Sequence, residues 1–94
     1  MTYTDFNYYT NKFYGNVIPS SLYNKYELEA RTKVDMLTLR RIKEMNDSIK
    51  KGVCAVADYL YVKNGDEVNE MELIEILMPY IDINLITRAI WNSK

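Results

Sequence analysis

The side chains of this 94-residue chain that most often bind a metal or transfer a proton are 13 carboxylates, joined by one cysteine, and histidine is absent. Histidine is the commonest general base and a frequent metal ligand, so its absence weakens both kinds of chemistry. Asp35, Asp58 and the acidic run 67–75 have spacings that match no calcium-binding loop. The sequence therefore favours a protein that is not an enzyme and that needs no metal or cofactor.

The single cysteine, Cys54, lies in the apolar run 53–57. A nucleophilic cysteine needs a basic neighbour and access to solvent, and this run offers neither. We expect a buried, structural thiol. With one cysteine the chain forms no intrachain disulfide, which is compatible with a reducing compartment.

The charges divide along the chain although the net charge is −1. Residues 1–63 carry ten Lys or Arg against seven Asp or Glu, a balance of +3, and residues 64–94 carry two against six, a balance of −4. The densest basic stretch consists of Arg40, Arg41, Lys43, Lys50 and Lys51, and the acidic one of Asp66, Glu67, Glu70 and Glu72. These groups are solvated helix faces, opposite poles that attract further copies head to tail, or, for the basic group, a nucleic-acid contact. A pI near 5.4 argues against duplex binding as the main role.

Apolar residues recur at spacings of three and four throughout, and no segment alternates as a strand does. We expect an all-α protein whose residues 1–94 form one small domain of four to five helices, at about 5–14, 20–45, 47–63, 69–79 and 82–92. The four-residue pairs Glu27–Arg31 and Glu29–Lys33 favour the second helix. A break near 32–35 would divide that helix into two. No apolar run is long enough to span a bilayer and no leader pattern is present, so we expect a soluble protein.

Individual residues predict where these helices begin and end. Thr4 and Asp5 are candidate N-caps, and Gly15 a candidate left-handed stop, for the first helix. Asn64 precedes a glycine and predicts the end of the third helix, while Pro79 ends or kinks the fourth. Gly52 lies inside the third helix, where glycine costs about 1 kcal/mol relative to alanine, and it predicts close approach of another backbone.

Three segments follow one another in a characteristic order: Tyr14-Gly15 with Ile18, Asp35 with Thr38, and the run 53–57 with Leu60-Tyr61. Across residues 4–62 this order and spacing resemble the small head–tail connector, or adaptor, proteins of tailed bacteriophages. The resemblance implies an all-helical head-completion protein in the neck of the virion, where a ring beneath the portal joins head to tail. The implied partners are further copies in a cyclic homo-oligomer, the portal protein and a tail-side neck or tail completion protein. DNA would only pass through the lumen, no membrane is involved, and assembly would take place in the host cytoplasm.

Within such a ring we expect the basic group defined above to face the acidic group of the next copy. The resemblance makes the segment around Arg88 and Trp91 the candidate for docking on the portal, although Trp91 also suits a core position. After residue 62 the chain departs from the family, because many relatives carry a longer polar insertion where this one has only residues 63–69. The alternative function is that of a small helical nucleic-acid-binding or regulatory protein.

Overall fold

The computed structural model describes residues 3–38, 42, 44–64 and 66–82. This part of the chain forms four helices, α1 (Phe6–Asn11), α2 (Ser20–Leu37), α3 (Asp47–Lys63) and α4 (Glu70–Leu77), and contains no strand. The all-α prediction is confirmed for these residues, and none of the helices found there has the length and apolarity to cross a membrane. The helix expected at 82–92 falls outside the described residues except for Asp82, which is not helical.

Three of the four helices begin at a side-chain cap. The carboxylate of Asp5, one of the two candidate caps, accepts the N–H of Tyr8 at 2.7 Å. Asn46 accepts the N–H of Ile49 at 2.8 Å and caps α3, whose first helical residue is Asp47 as expected. Asn69 accepts the N–H of Met71 at 2.9 Å at the start of α4. Pro19 precedes α2 in an extended conformation and provides no side-chain cap.

Helix α1 ends at Asn11, three residues before the expected boundary, and the left-handed residue that follows it is Tyr14. Tyr14 has φ 61°, an uncommon value for a bulky side chain, whereas Gly15 was predicted to take that conformation. Gly15 is required for another reason. A Cβ at this position would overlap the ring of Tyr9, which packs directly on the Gly15 backbone.

Helix α2 runs without a break through residues 32–35 but ends at Leu37, so the expected extension to residue 45 is wrong. Residues 42 and 44–46 are not helical. Thr38 leaves the helical region with φ −97° and ψ 0°, and its hydroxyl donates to the carbonyl of Val34 at 2.9 Å. This return of a threonine side chain to the preceding turn competes with continuation of the helix. The stop of α3 was predicted correctly, because Asn64 adopts the left-handed conformation with φ 43°.

The core forms where α2 packs on α3, with α4 packed on α3 and α1 contacting both long helices. Its members belong to one continuous apolar cluster of buried residues, consistent with a single small domain. The absence of a side chain at Gly52 lets α4 and the residues after it pack closely on α3. A Cβ at this position would lie 3.0 Å from the Cβ of Tyr80 and 3.2 Å from a methyl of Leu77. The close approach predicted at Gly52 is therefore present, but side chains rather than a backbone make it.

Candidate interaction surfaces

The two isolated carboxylates that could have served chemistry are bound by tyrosine hydroxyls. Tyr3 donates to Asp35 and Tyr9 donates to Asp58, each at 2.6 Å. Burial raises the pKa of Asp58, and the hydrogen bond from Tyr9 opposes that rise. In the part of the chain that the structure describes, no three Cys, Asp or Glu side chains lie close enough together to hold a metal ion.

The Tyr9 hydroxyl has a structural role, because it joins three segments. It donates to Asp58 on α3 and accepts the N–H groups of Val17 and Ile18 at 2.9 and 3.0 Å. The ring is completely buried and packs against the ring of Tyr23, with centroids 4.8 Å apart and the ring planes tilted by 32°. Asp58 therefore positions α1 and the following loop through Tyr9.

Cys54 is fully buried, as predicted. Burial raises the pKa of its thiol to about 11, and the Tyr23 hydroxyl lies 3.6 Å from the sulfur. The thiol stays protonated at neutral pH, so it lacks the thiolate character and the access that a nucleophile needs.

Glu27 is a buried carboxylate whose role the sequence analysis missed. It is 0 % exposed, and its two oxygens accept the N–H groups of Tyr3 and Thr4 at 2.8 and 3.3 Å and the Arg31 Nε–H at 3.1 Å. The Glu27–Arg31 pair was expected, but burial was not. One sequence signal pointed to it: Glu27 lies four residues after Tyr23 and three before Ala30, on the stripe that faces the core.

The basic group expected at the subunit interface is only partly described. Arg40, Arg41 and Lys43 lie outside the described residues. Lys50 lies over the ring of Tyr8 at 5.5 Å, and Lys51 is 3.5 Å from the Asp47 carboxylate. Both lysines therefore already have contacts within their own chain.

The acidic group lies at the other end of α3. Asp66, Glu67, Glu70 and Glu72 are all exposed between the end of α3 and the first turn of α4. At 1.5 Å per residue, α3 separates Lys50 from Lys63 by about 20 Å, so Lys50 and Lys51 lie at the end of α3 opposite the acidic group. Glu72 also has contacts in its own chain, accepting the Tyr59 hydroxyl at 3.1 Å and lying 3.9 Å from Lys63.

Large apolar side chains are exposed at several points of the described chain. Tyr14 is 82 % exposed and combines this exposure with its left-handed backbone. On α2, Leu28 is 50 % and Met36 is 62 % exposed, and on α4, Met71 is 56 % exposed. Exposed apolar side chains next to one another mark surfaces that partners cover.

Leu28 and Met36 lie in two adjoining grooves of ≈ 460 and ≈ 190 Å³, which we call the α2 trough. Lys33 and Val68 line both grooves, so the grooves meet at these two side chains. The apolar lining of the trough is Tyr26, Leu28, Met36, Leu37, Leu60, Val68 and Leu73, its basic lining is Lys25, Lys33 and Lys63, and its acidic lining is Glu29, Asp66 and Glu70. The trough therefore combines an apolar surface with charges of both signs in equal number.

Lys33 is the lysine of the trough with the fewest partners. The expected pair between Glu29 and Lys33 is not formed, whereas the Glu27–Arg31 pair is. Lys33 makes no ion pair with any described residue, whereas Lys63 is near Glu72 and Lys25 lies over the Tyr26 ring at 5.2 Å.

Arg88 and Trp91, the residues expected to dock on the portal, lie outside the described residues. Comparisons with protein-family models, with curated proteins and with solved structures found no match to this chain.

Proposed function

We propose that this chain is a head–tail connector of a tailed bacteriophage, a non-enzymatic protein that forms a ring beneath the portal and joins the head to the tail. The observation that carries the proposal is the order of the three segments across residues 4–62, which resembles that of the connector family. The function is then binding between proteins.

The positions of these segments support the proposal. Tyr14, Gly15 and Ile18 form the connection from α1 to α2, with Ile18 buried. Asp35 and Thr38 lie at the end of α2, and the run 53–57 is in the buried part of α3. The segments that carry the resemblance thus belong to one packed unit.

The separation of charge supports a head-to-tail ring. A cyclic ring uses two different patches on each subunit, and Lys50 and Lys51 near the start of α3 with the acidic group beyond its end suit that symmetry. Surface ion pairs contribute only about 0–1 kcal/mol each, so apolar burial must supply most of the affinity. The exposed tyrosine and methionine side chains provide such surface.

The decisive test uses phage that lack this protein. We expect their heads to lose packaged DNA and to remain without tails, and a copy of the gene supplied in trans to restore both. Electron microscopy of the purified chain mixed with the portal and tail-side proteins of the same phage should show a ring on the portal. Virions that keep their DNA and attach tails normally without the chain would refute the proposal.

Two variants test the proposed surfaces. Reversing the charge of Arg40, Arg41 and Lys43 together should impair ring formation and leave the circular dichroism spectrum unchanged. Truncation before Trp91 should impair docking on the portal while rings still form. A gel shift at physiological salt tests the nucleic-acid alternative, which a submicromolar, sequence-selective complex would favour.

A further inference from the structure

The connection from α1 to α2 and the first turn of α2 carry an uncharged, exposed surface. Residues 13–24 form the longest stretch of the chain without a charged side chain. Three large apolar side chains within it are exposed, Tyr14 at 82 %, Val17 at 41 % and Leu22 at 38 %, and we call them the Tyr14 patch. The core of a protein–protein interface is depleted in charge and enriched in tyrosine. The Tyr14 patch therefore has the composition of a surface that another protein covers.

The backbone at Tyr14 is held in a conformation that the residue itself disfavours. Its φ of 61° is typical of glycine and is strained for a bulky side chain. Tyr9 fixes the loop, because its carbonyl accepts the N–H of Gly15 at 2.8 Å. The Tyr9 hydroxyl accepts the N–H groups of Val17 and Ile18. No described residue forms a hydrogen bond with the Tyr14 hydroxyl. A fixed backbone presents the exposed ring in one orientation, which lowers the entropy cost of burying it in a partner.

The occupant of this patch differs from a second copy of the chain. The α2 trough contains three cations and three carboxylates, and an uncharged surface that covered them would remove their hydration without providing ion pairs. Packing of the patch on the same patch of a second copy would give a two-fold dimer and consume the surface, so it would not build a ring. Both arguments favour a different protein, with an uncharged apolar pocket and a hydrogen-bond acceptor for the phenol hydroxyl.

The patch is also separate from the segment expected to dock on the portal. The Tyr9 hydroxyl joins the loop of the patch to Asp58 on α3. Near the end of the described chain, the Tyr80 carbonyl accepts the Ser48 hydroxyl at 2.6 Å. Ser48 and Asp58 are ten residues apart on α3, which corresponds to about 15 Å along the helix. The patch and the end of the described chain therefore contact different parts of α3.

We propose that the Tyr14 patch binds the protein on the tail side of the ring, with the Tyr14 ring as the anchor in an uncharged apolar pocket of that protein. This inference rests on the proposed function, in which the ring contacts one protein toward the head and another toward the tail. The segment around Arg88 and Trp91 is the expected contact with the portal, so the patch is assigned to the tail side. The other exposed apolar side chains, such as Met71, remain for the contact between copies.

The first experiment measures binding of the full chain to the purified tail-side protein and, separately, to the purified portal protein of the same phage. Tyr14→Gly removes the ring and suits the left-handed backbone. It should weaken binding to the tail-side protein at least about thirtyfold, as expected for a hot-spot residue, and leave binding to the portal within about twofold. Tyr14→Phe keeps the ring and should lose only about three- to tenfold, the contribution of one hydrogen bond.

Stability separates a role in binding from a role in folding. Because glycine adopts a φ of 61° without strain, the urea midpoint of Tyr14→Gly should equal or exceed that of the original protein. A lower midpoint would show that the ring serves the fold and would overturn the inference. Met71→Ala is the matched control, since it removes an exposed apolar side chain outside the patch, and it should change tail-side binding by less than about twofold.

Three binding results would also overturn the inference. The original chain fails to bind the tail-side protein at concentrations up to about 100 μM, Tyr14→Gly binds that protein as tightly as the original chain does, or the loss occurs at the portal instead. The phage experiment is independent. Heads that remain tailless without the chain, together with normal binding by Tyr14→Gly, would refute this contact and leave the connector function standing. Normal necks without the chain would refute the function itself.

Discussion

Two segments cover the α2–α3 pair by different chemistry. Residues 3–18 are attached largely through hydrogen bonds from tyrosines and backbone N–H groups to carboxylates, with Glu27 and Asp58 as the buried and half-buried acceptors. Residues 66–82 are attached largely through apolar side chains, and Leu77 is completely buried against Gly52.

The difference between hydrogen-bonded and apolar attachment shows how two short helices can be fixed to one small core. Helix α1 has only six residues and cannot bury a long apolar face, so directed hydrogen bonds determine where it lies. Helix α4 places Leu73, Ile74 and Leu77 in the core and needs fewer polar attachments. Polar attachment is specific but vulnerable, because a buried acceptor or donor that loses its partner costs about 1–3 kcal/mol.

The largest effect is expected at Tyr9, which combines both kinds of attachment. Tyr9→Ala should lower the free energy of unfolding by about 4 kcal/mol, through the cavity left by a buried ring and the loss of its hydroxyl contacts. Tyr9→Phe keeps the ring and should cost about 1–3 kcal/mol, because Asp58 and two backbone N–H groups lose their partner. Urea unfolding measures both. Equal losses for the two variants would show that the ring contributes little.

The apolar attachment is tested at Leu77. Leu77→Ala should cost about 3 kcal/mol in urea unfolding, because the cavity next to Gly52 cannot be filled by solvent. Leu77→Met is the control that conserves volume and should cost below about 1.5 kcal/mol. A loss below 1 kcal/mol for the alanine variant would mean that α4 contributes little to the core.

A substitution at Glu27 tests the hydrogen bonds that attach the N-terminal segment to α2. Glu27→Gln removes the charge that binds Arg31 and two backbone N–H groups, and it should cost about 2 kcal/mol. Glu29→Gln is the matched control, because Glu29 is exposed on the same helix, and it should change stability by less than about 0.5 kcal/mol.

The thiol of Cys54 provides a second measurement for the same variant. Thr4 bonds Tyr23, which lies against Cys54, so loosening of residues 3–4 uncovers the thiol. Reaction with a thiol reagent at neutral pH should be about tenfold faster in Glu27→Gln than in Glu29→Gln, which corresponds to about 1.4 kcal/mol of easier local opening. Equal rates would show that Glu27 does not hold this segment closed.

The smallest effect is expected for the pH dependence at Asp58. Burial raises its pKa in the folded state, so the folded protein binds this proton more strongly than the unfolded chain does. The resulting stabilisation is complete below the unfolded pKa of about 3.9 and is lost as pH rises through the folded pKa. At pH 7 the ionised carboxylate therefore opposes folding.

Asp58→Asn keeps an oxygen that accepts the Tyr9 hydroxyl and removes the charge. Its free energy of unfolding relative to that of the original protein should be most favourable at pH 7 and should fall as pH is lowered toward 4. The Tyr8 hydroxyl lowers the pKa of Asp47, which gives the opposite pH dependence, but Asp47 is present in both proteins and cancels in the difference. A difference that does not change with pH would contradict the raised pKa of Asp58.

The sequence by itself determined the helical class, the α3 boundaries, the cap at Asp5 and the burial of Cys54. These features depend on neighbours within a few residues, since apolar periodicity and capping act over one or two turns. The interface candidates among residues 40–43 and at Arg88 and Trp91 stay predictions.

Tertiary structure decided the rest. The burial of Glu27 depends on Tyr3, 24 residues away, and the role of Asp58 depends on Tyr9, 49 residues away. The end of α2 at Leu37 and the left-handed Tyr14 also differ from what local signals predicted. The α2 trough exists because residues 66–73 lie beside α2, which places Val68 and Leu73 in the same groove as Lys33. Contacts between residues distant in the chain are set by how the helices pack, and no local pattern in the sequence encodes them.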